Sequence, residues 1–272
     1  MHATVNGARL YYERDGAGNP PLLFVHGYTC AHDDWVRQVE AFKPRHTVVT
    51  CDLRGHGASP GEPSSCDIET YGADIAGLLP VLGLEGAVLV GHSMGCRVVL
   101  QAYRAARERI AGLVLVDGSF LGAAGESAEK AARDAVADKG FAGFVRPLFA
   151  DMFLAPSKDA ERIIERAMRT PETIGASLFP KMVAWDAKHM LTALTGVKAP
   201  LLVIQCTYLN SEHKRVPLKP GQSTPWLDLV RQRAPRAQIR IITGSGHFPM
   251  LDNPAAVNSA IAAFVEGVMI DG

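Results

Sequence analysis

The sequence predicts an α/β fold: a mostly parallel, doubly wound sheet with helices on both faces and a helical cap inserted between two strands. Three observations carry this. Short apolar runs bounded by Gly, Pro or Asp recur along the chain, as strands buried on both faces do. Stretches with apolar residues at helical spacing separate most of these runs, which is the pattern of a parallel sheet. The alternation then breaks between about residues 119 and 196, where no strand run occurs.

The elements follow in order. Thr4-Val5 and Arg9-Leu10-Tyr11-Tyr12 flank Asn6-Gly7, a pair that supplies the positive φ angles of a tight hairpin. Leu22–Val25 is the first apolar run and ends at His26-Gly27. Further runs are Thr47–Cys51 ending at Asp52, Ala87–Val90 ending at Gly91, and Leu113–Val116 ending at Asp117. Leu201–Ile204 and Ile239–Ile242 complete the set. Helices are predicted over 69–82, through Ile75, Leu78, Leu79 and Leu82, and over 94–107, through Val98, Val99, Ala102 and Tyr103. A C-terminal helix carries Val257, Ile261, Phe264, Val265 and Val268 on one stripe. Its start is marked by Asp252-Asn253-Pro254, a cap followed by an N1 proline. Between the strands ending at 117 and starting at 201, helical pieces are predicted at 128–138, 158–169 and 186–194. The expected division is a core of residues 1–118 and 197–272 with a cap of 119–196.

Composition narrows the function. Among 272 residues, 28 are Lys or Arg and 28 are Asp or Glu, so the formal net charge is zero. That balance argues against a strongly basic nucleic-acid binder or a polybasic membrane binder. At 47% hydrophobic and 21% charged the chain is ordinary for a globular protein. The five cysteines, Cys30, Cys51, Cys66, Cys96 and Cys206, are odd in number and scattered. They read as reduced thiols of a cytoplasmic protein rather than a disulfide framework or zinc site. The N-terminus has no signal-peptide pattern, and no apolar stretch reaches the roughly 18–20 residues that span a bilayer. No His-Glu-x-x-His metal-ligand spacing and no P-loop occurs, and no metal site is expected.

The chemistry lies at strand ends. Gly91-His92-Ser93-Met94-Gly95 is Gly-x-Ser-x-Gly between a predicted strand and a predicted helix. In that setting the serine is pushed up on a sharp turn, above a helix N-terminus with unpaired N–H groups. A serine hydroxyl is a poor nucleophile without a base. His247, in Gly244-Ser245-Gly246-His247 after the last strand, can reach the same edge. The other eight histidines, at 2, 26, 32, 46, 56, 92, 189 and 213, read as structural or surface residues. The strand end Phe24-Val25-His26-Gly27-Tyr28 should lie beside the serine turn. The backbone N–H groups of Tyr28 and Met94 would then converge as an oxyanion hole. The side chain of His26 and the charged loop Asp52–Gly57 read as structural braces.

With His26-Gly27, the Asp52–Ser59 loop, Gly91–Gly95 and Gly246-His247 in that order, the chain resembles the α/β-hydrolase fold superfamily of esterases and lipase-like hydrolases. The resemblance spans about residue 20 to the C-terminus. It implies a Ser…acid…His triad, an oxyanion hole and no cofactor. The family usually places the acid on the loop after the strand read at 201–205, but residues 206–213 hold no aspartate. The acid is therefore Glu212 from that loop or Asp117 from the strand end before the cap. Asp117 is preferred, since relatives such as the haloalkane dehalogenases use an acid there.

Serine at 93 separates the chain from the dehalogenases and epoxide hydrolases of this fold, which use a carboxylate nucleophile. The expected activity is hydrolysis of a small, mainly apolar carboxylic ester through an acyl-enzyme. Lactone or carbon–carbon cleavage with the same residues, or a non-enzymatic receptor for a small molecule, are the alternatives. Phe149, Met152, Phe153 and Trp185 of the cap are expected to line the substrate pocket. No nucleic-acid or membrane partner is expected, and oligomeric state is not read from the sequence.

Overall fold

The computed structural model describes residues 1–210, 212 and 214–271. Its elements run β1 (His2–Val5), β2 (Ala8–Asp15), β3 (Leu22–Val25), α1 (Val36–Phe42), β4 (Val48–Cys51), α2 (Ile68–Val81), β5 (Ala87–His92), α3 (Met94–Ala106) and β6 (Ile110–Val116). Helices α4 (Glu126–Ala150), α5 (Lys158–Arg169), α6 (Glu172–Trp185) and α7 (Leu191–Gly196) follow. The chain then forms β7 (Leu201–Gln205), β8 (Thr207–Leu209), β9 (Arg215–Pro217), α8 (Pro225–Arg233), β10 (Gln238–Ile241), α9 (Pro249–Asp252) and α10 (Pro254–Asp271).

Eight strands form one sheet in the order β1-β2-β4-β3-β5-β6-β7-β10. The β1–β2 hairpin turns through Asn6 and Gly7, both at positive φ (48° and 74°), with Val5 opposite Ala8. β2 also runs antiparallel to β4, and every later pairing in the sheet is parallel. The central strands β3, β4 and β5 are buried along their whole length, which explains their unbroken apolar runs.

The chain steps outward from β3 to β4, then returns to place β5 on the other side of β3. Right-handed crossovers in opposite directions put α1 and α2 on opposite faces. Accordingly α2 packs on α3, and α1 on α10. The carboxyl ends of β3 and β5 thus meet at a topological switch point, where open α/β sheets bind ligands.

The predicted helices over 69–82 and 94–107 are α2 and α3, and 158–169 coincides with α5. The piece at 128–138 is the first half of a longer α4, broken at Gly140 (φ 65°, ψ 163°). The piece at 186–194 is a wide turn at Asp186–Met190 running into α7. Helices α1 and α6 and the small antiparallel hairpin β8–β9 were not anticipated. The cap of α10 is Asn253, which accepts from the Ala256 N–H, whereas Asp252 turns away to accept from Gly246. No helix among the described residues is long and apolar enough to cross a membrane.

Candidate active site

Ser93 occupies the turn from β5 into α3 at φ 54°, ψ −111°, a conformation an L-residue holds only when its surroundings impose it. The flanking glycines allow the close approach. A Cβ on Gly91 would lie 2.2 Å from the Gly95 carbonyl oxygen, and one on Gly95 would lie 2.5 Å from that of Val25. The serine side chain is therefore fixed above the carboxyl ends of β3 and β5.

His247 reaches it from the loop after β10. Its Nε2 is 2.8 Å from Ser93 Oγ, and its Nδ1 is 2.6 Å from Asp117 Oδ2. Nδ1–H donates to the carboxylate, which leaves Nε2 to accept from the serine hydroxyl. The histidine backbone is held at both ends. Its N–H donates to the Met152 carbonyl (2.8 Å), and its carbonyl accepts from His92 Nε2 (2.6 Å). Gly246 makes the first contact possible, because a Cβ there would lie 2.5 Å from the Met152 oxygen.

Asp117 follows β6 at φ 47° and is fully buried. Its Oδ1 accepts from the Cys206 and Thr207 N–H groups (2.7 and 2.8 Å), and its Oδ2 from the Thr207 hydroxyl (2.5 Å). Arg215 Nη1 stands 3.5 Å from Oδ2. Every polar neighbour donates, so the group is a carboxylate. Burial pushes its carboxyl up, against the Arg215 charge and these donors. Burial, then the charges of Arg215 and Arg97, hold the His247 imidazole well below the usual histidine range. The lowered direction leaves the resting imidazole neutral, and the bond from Nδ1–H to Asp117 leaves its Nε2 lone pair facing Ser93.

Glu212, the other candidate acid, is not brought to His247. It is exposed and faces Lys214 at 3.3 Å. The Tyr28 and Met94 amides follow the ends of β3 and β5 and make no backbone hydrogen bond among the described residues. Met94 opens α3, so its N–H has no partner within the helix.

The space before Ser93 is a cavity of only about 10 Å³, walled by Tyr28, His92, Phe149, Met152 and Phe248 with His247. Phe149 and Met152, two of the expected lining residues, border this space. Phe153 stands one ring further out, stacked on Phe248 at 4.9 Å. Trp185, the fourth expected lining residue, does not border this space. Its Nε1 donates to Gln101 of α3 and its ring packs near His189, because α6 presents that face to α3 rather than to Ser93. A larger cavity of about 620 Å³, between Pro44–His46 and α10, touches none of these residues.

The structural readings of the other motifs hold. His26 accepts from the Leu53 N–H and bonds the Gly27 carbonyl, tying the β3 and β4 loops together. Asp52 accepts from the His32 and Ala58 amides and from His32 Nδ1. Arg54 pairs with Asp74. His213 lies outside the described residues. Three contributors to the site were missed: His92, read as structural only, and Thr207 and Arg215, which lie in a stretch read as loop.

A Ser–His–Asp line at the switch point of such a sheet defines a hydrolase-type centre. A profile of the alpha/beta hydrolase family matches residues 22–260, and the chain belongs to that family. It is 34% identical over 114 residues to the dihydrolipoyllysine-residue acetyltransferase component of the acetoin cleaving system of Cupriavidus necator, covering 42% of this chain and 30% of that one. A non-heme chloroperoxidase of Streptomyces lividans is 39% identical over 119 residues, 42% of each chain. The match thus spans less than half the length of both relatives. A thermophilic esterase from Thermogutta terrifontis superposes with a TM-score of 0.79 at 24% identity over 98% of each chain, a likeness of fold.

Proposed function

We propose that the chain is a serine hydrolase that cleaves a small, mainly apolar carboxylic ester through an acyl-enzyme. The unbroken hydrogen-bonded line from Ser93 through His247 to Asp117 carries this reading. His247 takes the proton of Ser93 as its oxygen attacks the ester carbonyl. The oxyanion that forms is met by the Tyr28 and Met94 amides, each such donor contributing about 3–4 kcal/mol in the transition state. His247 then hands the proton to the leaving alcohol, and water activated by the same imidazole releases the acid. Asp117 holds the imidazole in its Nδ1–H tautomer and stabilises the cation. Phe149, Met152 and Phe248 favour an apolar acyl group.

We read residues 119–196 as a cap on a core of 1–118 and 197–272. Support comes from ties between that segment and the core: the Tyr28 hydroxyl donates to the Gly175 carbonyl, and Arg97 pairs in two-pronged fashion with Asp186. The five buried free thiols fit a reducing, cytoplasmic setting.

The test is a panel of p-nitrophenyl esters, lactones and diketones run on wild type and Ser93→Ala. Turnover of short-chain esters by wild type alone is the expected result. A Ser93→Ala protein as active as wild type would end the acyl-enzyme reading, and faster release from lactones or diketones would replace the ester.

A further inference from the structure

We infer that Arg215 is a positioning residue that keeps Asp117 charged and aimed at His247, and so sets how far into acid the site stays competent. The inference rests on the acyl-transfer reading of Ser93, His247 and Asp117.

Arg215 reaches the acid from the β8–β9 hairpin, where it stands opposite Leu209. Its Nη1 donates to Thr207 Oγ1 at 2.9 Å, and that hydroxyl donates in turn to Asp117 Oδ2. The guanidinium thus fixes the direction of the hydroxyl proton while lying 3.5 Å from the same carboxylate oxygen. Only 9% of its side chain is exposed, so its charge is weakly screened. The backbone N–H of Arg215 donates to Asp151 at the end of α4, which anchors the hairpin.

The sign follows from charge. With a neutral imidazole the Asp117–His247 pair carries one negative charge, and after binding a proton it carries none. A nearby cation favours the first state, so the pair resists protonation. Other groups facing the pair do not take over this role. Arg97 of α3 adds to the effect of Arg215 on His247, but its guanidinium is paired with the Asp186 carboxylate, which offsets its charge, and His92 of β5 is buried and neutral. The Cys206 thiol is pushed up by burial and by Asp117, so it carries no charge. Asp252 of α9 accepts from Gly246, Asp151 is exposed, and Lys214 and Glu212 pair at the hairpin tip.

The experiment measures the rate of Ser93 labelling by a fluorophosphonate against pH. Wild type is compared with Arg215→Gln, Arg215→Met and Arg215→Lys, each first checked for a cooperative melt. The two neutral variants differ in polarity, so either one that folds suffices. Their acid limb should move up by about one pH unit, while Arg215→Lys stays near wild type. Superimposable limbs, or a lysine variant displaced as far as glutamine, overturn the role of Arg215 alone. A wild type that is not labelled at any pH overturns the acyl-transfer reading itself and this inference with it.

Discussion

Ser93 and Asp117 are both non-glycine residues at positive φ, each at the carboxyl end of a parallel strand. Such strain persists where the surroundings over-determine it, and here it aims both side chains at one imidazole. Asp117→Asn should keep the fold but lose the preference for the Nδ1–H tautomer, lowering kcat by up to about 10⁴-fold. Glu212→Gln, altering an exposed side chain, should leave kcat within about twofold, since surface changes of this kind rarely matter. Steady-state kinetics on the two variants decide between the acids, and the reverse ranking would remove Asp117 from the site. Ser93, His247 and Asp117 were legible because each follows an apolar run, the first two among glycines and the third as a bare carboxylate at the run's end. Thr207 and Arg215 were not, because their partner lies 90 or more positions away and a three-residue strand carries too little alternation to read.

At the scale of elements, the turn between β5 and α3 depends on space that only glycine leaves. A methyl on Gly95 would meet the backbone oxygens of Val25 and His26 at 2.5 and 2.8 Å, and neither can yield without moving the loop that bears Tyr28. Gly95→Ala should therefore cost about 1–3 kcal/mol of stability. Gly267, within α10, has nothing within 4 Å of its would-be Cβ. Gly267→Ala should stabilise by about 0.5–1 kcal/mol. Denaturant unfolding of the two variants checks the contrast, and equal effects would refute the packing argument. Legibility of helices followed the same physics. α5 has one apolar face and a Ser157 cap that accepts from Ala160, so its pattern was plain. α6 holds Pro180 and is buried on several sides, so it shows no clean stripe. α1 spans only seven residues.

Across the whole molecule, the unusual electrostatic feature is a set of buried neutral imidazoles. Burial pushes His26 down to about 3 and His56 down to about 4, and it holds His92 and His247 well below the ordinary range. An unfolded chain protonates these groups below about pH 6.5, and the folded one does not. The unfolded state thus binds more protons as pH falls from about 6.5 towards 4, so stability falls through that window. Each such group steepens the loss by about 1.4 kcal/mol per pH unit. His32, raised by Asp52 in spite of its partial burial, gains stability as pH falls towards about 6.5 and so offsets part of the loss only at the top of this window. The raised carboxyls of Asp34, Asp117 and Asp186 oppose the fall only where they themselves take up protons. Urea midpoints at pH 7, 6 and 5 should therefore drop, with His56→Gln losing up to one proton of the slope. A flat wild-type midpoint would contradict the linkage. The cavity before Ser93 has a consequence of its own. At about 10 Å³ it is scarcely large enough for one water molecule, and Phe149 and Met152 form its wall on the side of the 119–196 segment. Ser93 is itself only half-buried, so the space is narrow rather than sealed. On the proposed reading, a substrate larger than this space binds only where the Phe149, Met152 and Phe248 walls have drawn apart, and its affinity is diluted by the rarity of that form. Two esters differing only in bulk would then be told apart by how far those walls must yield.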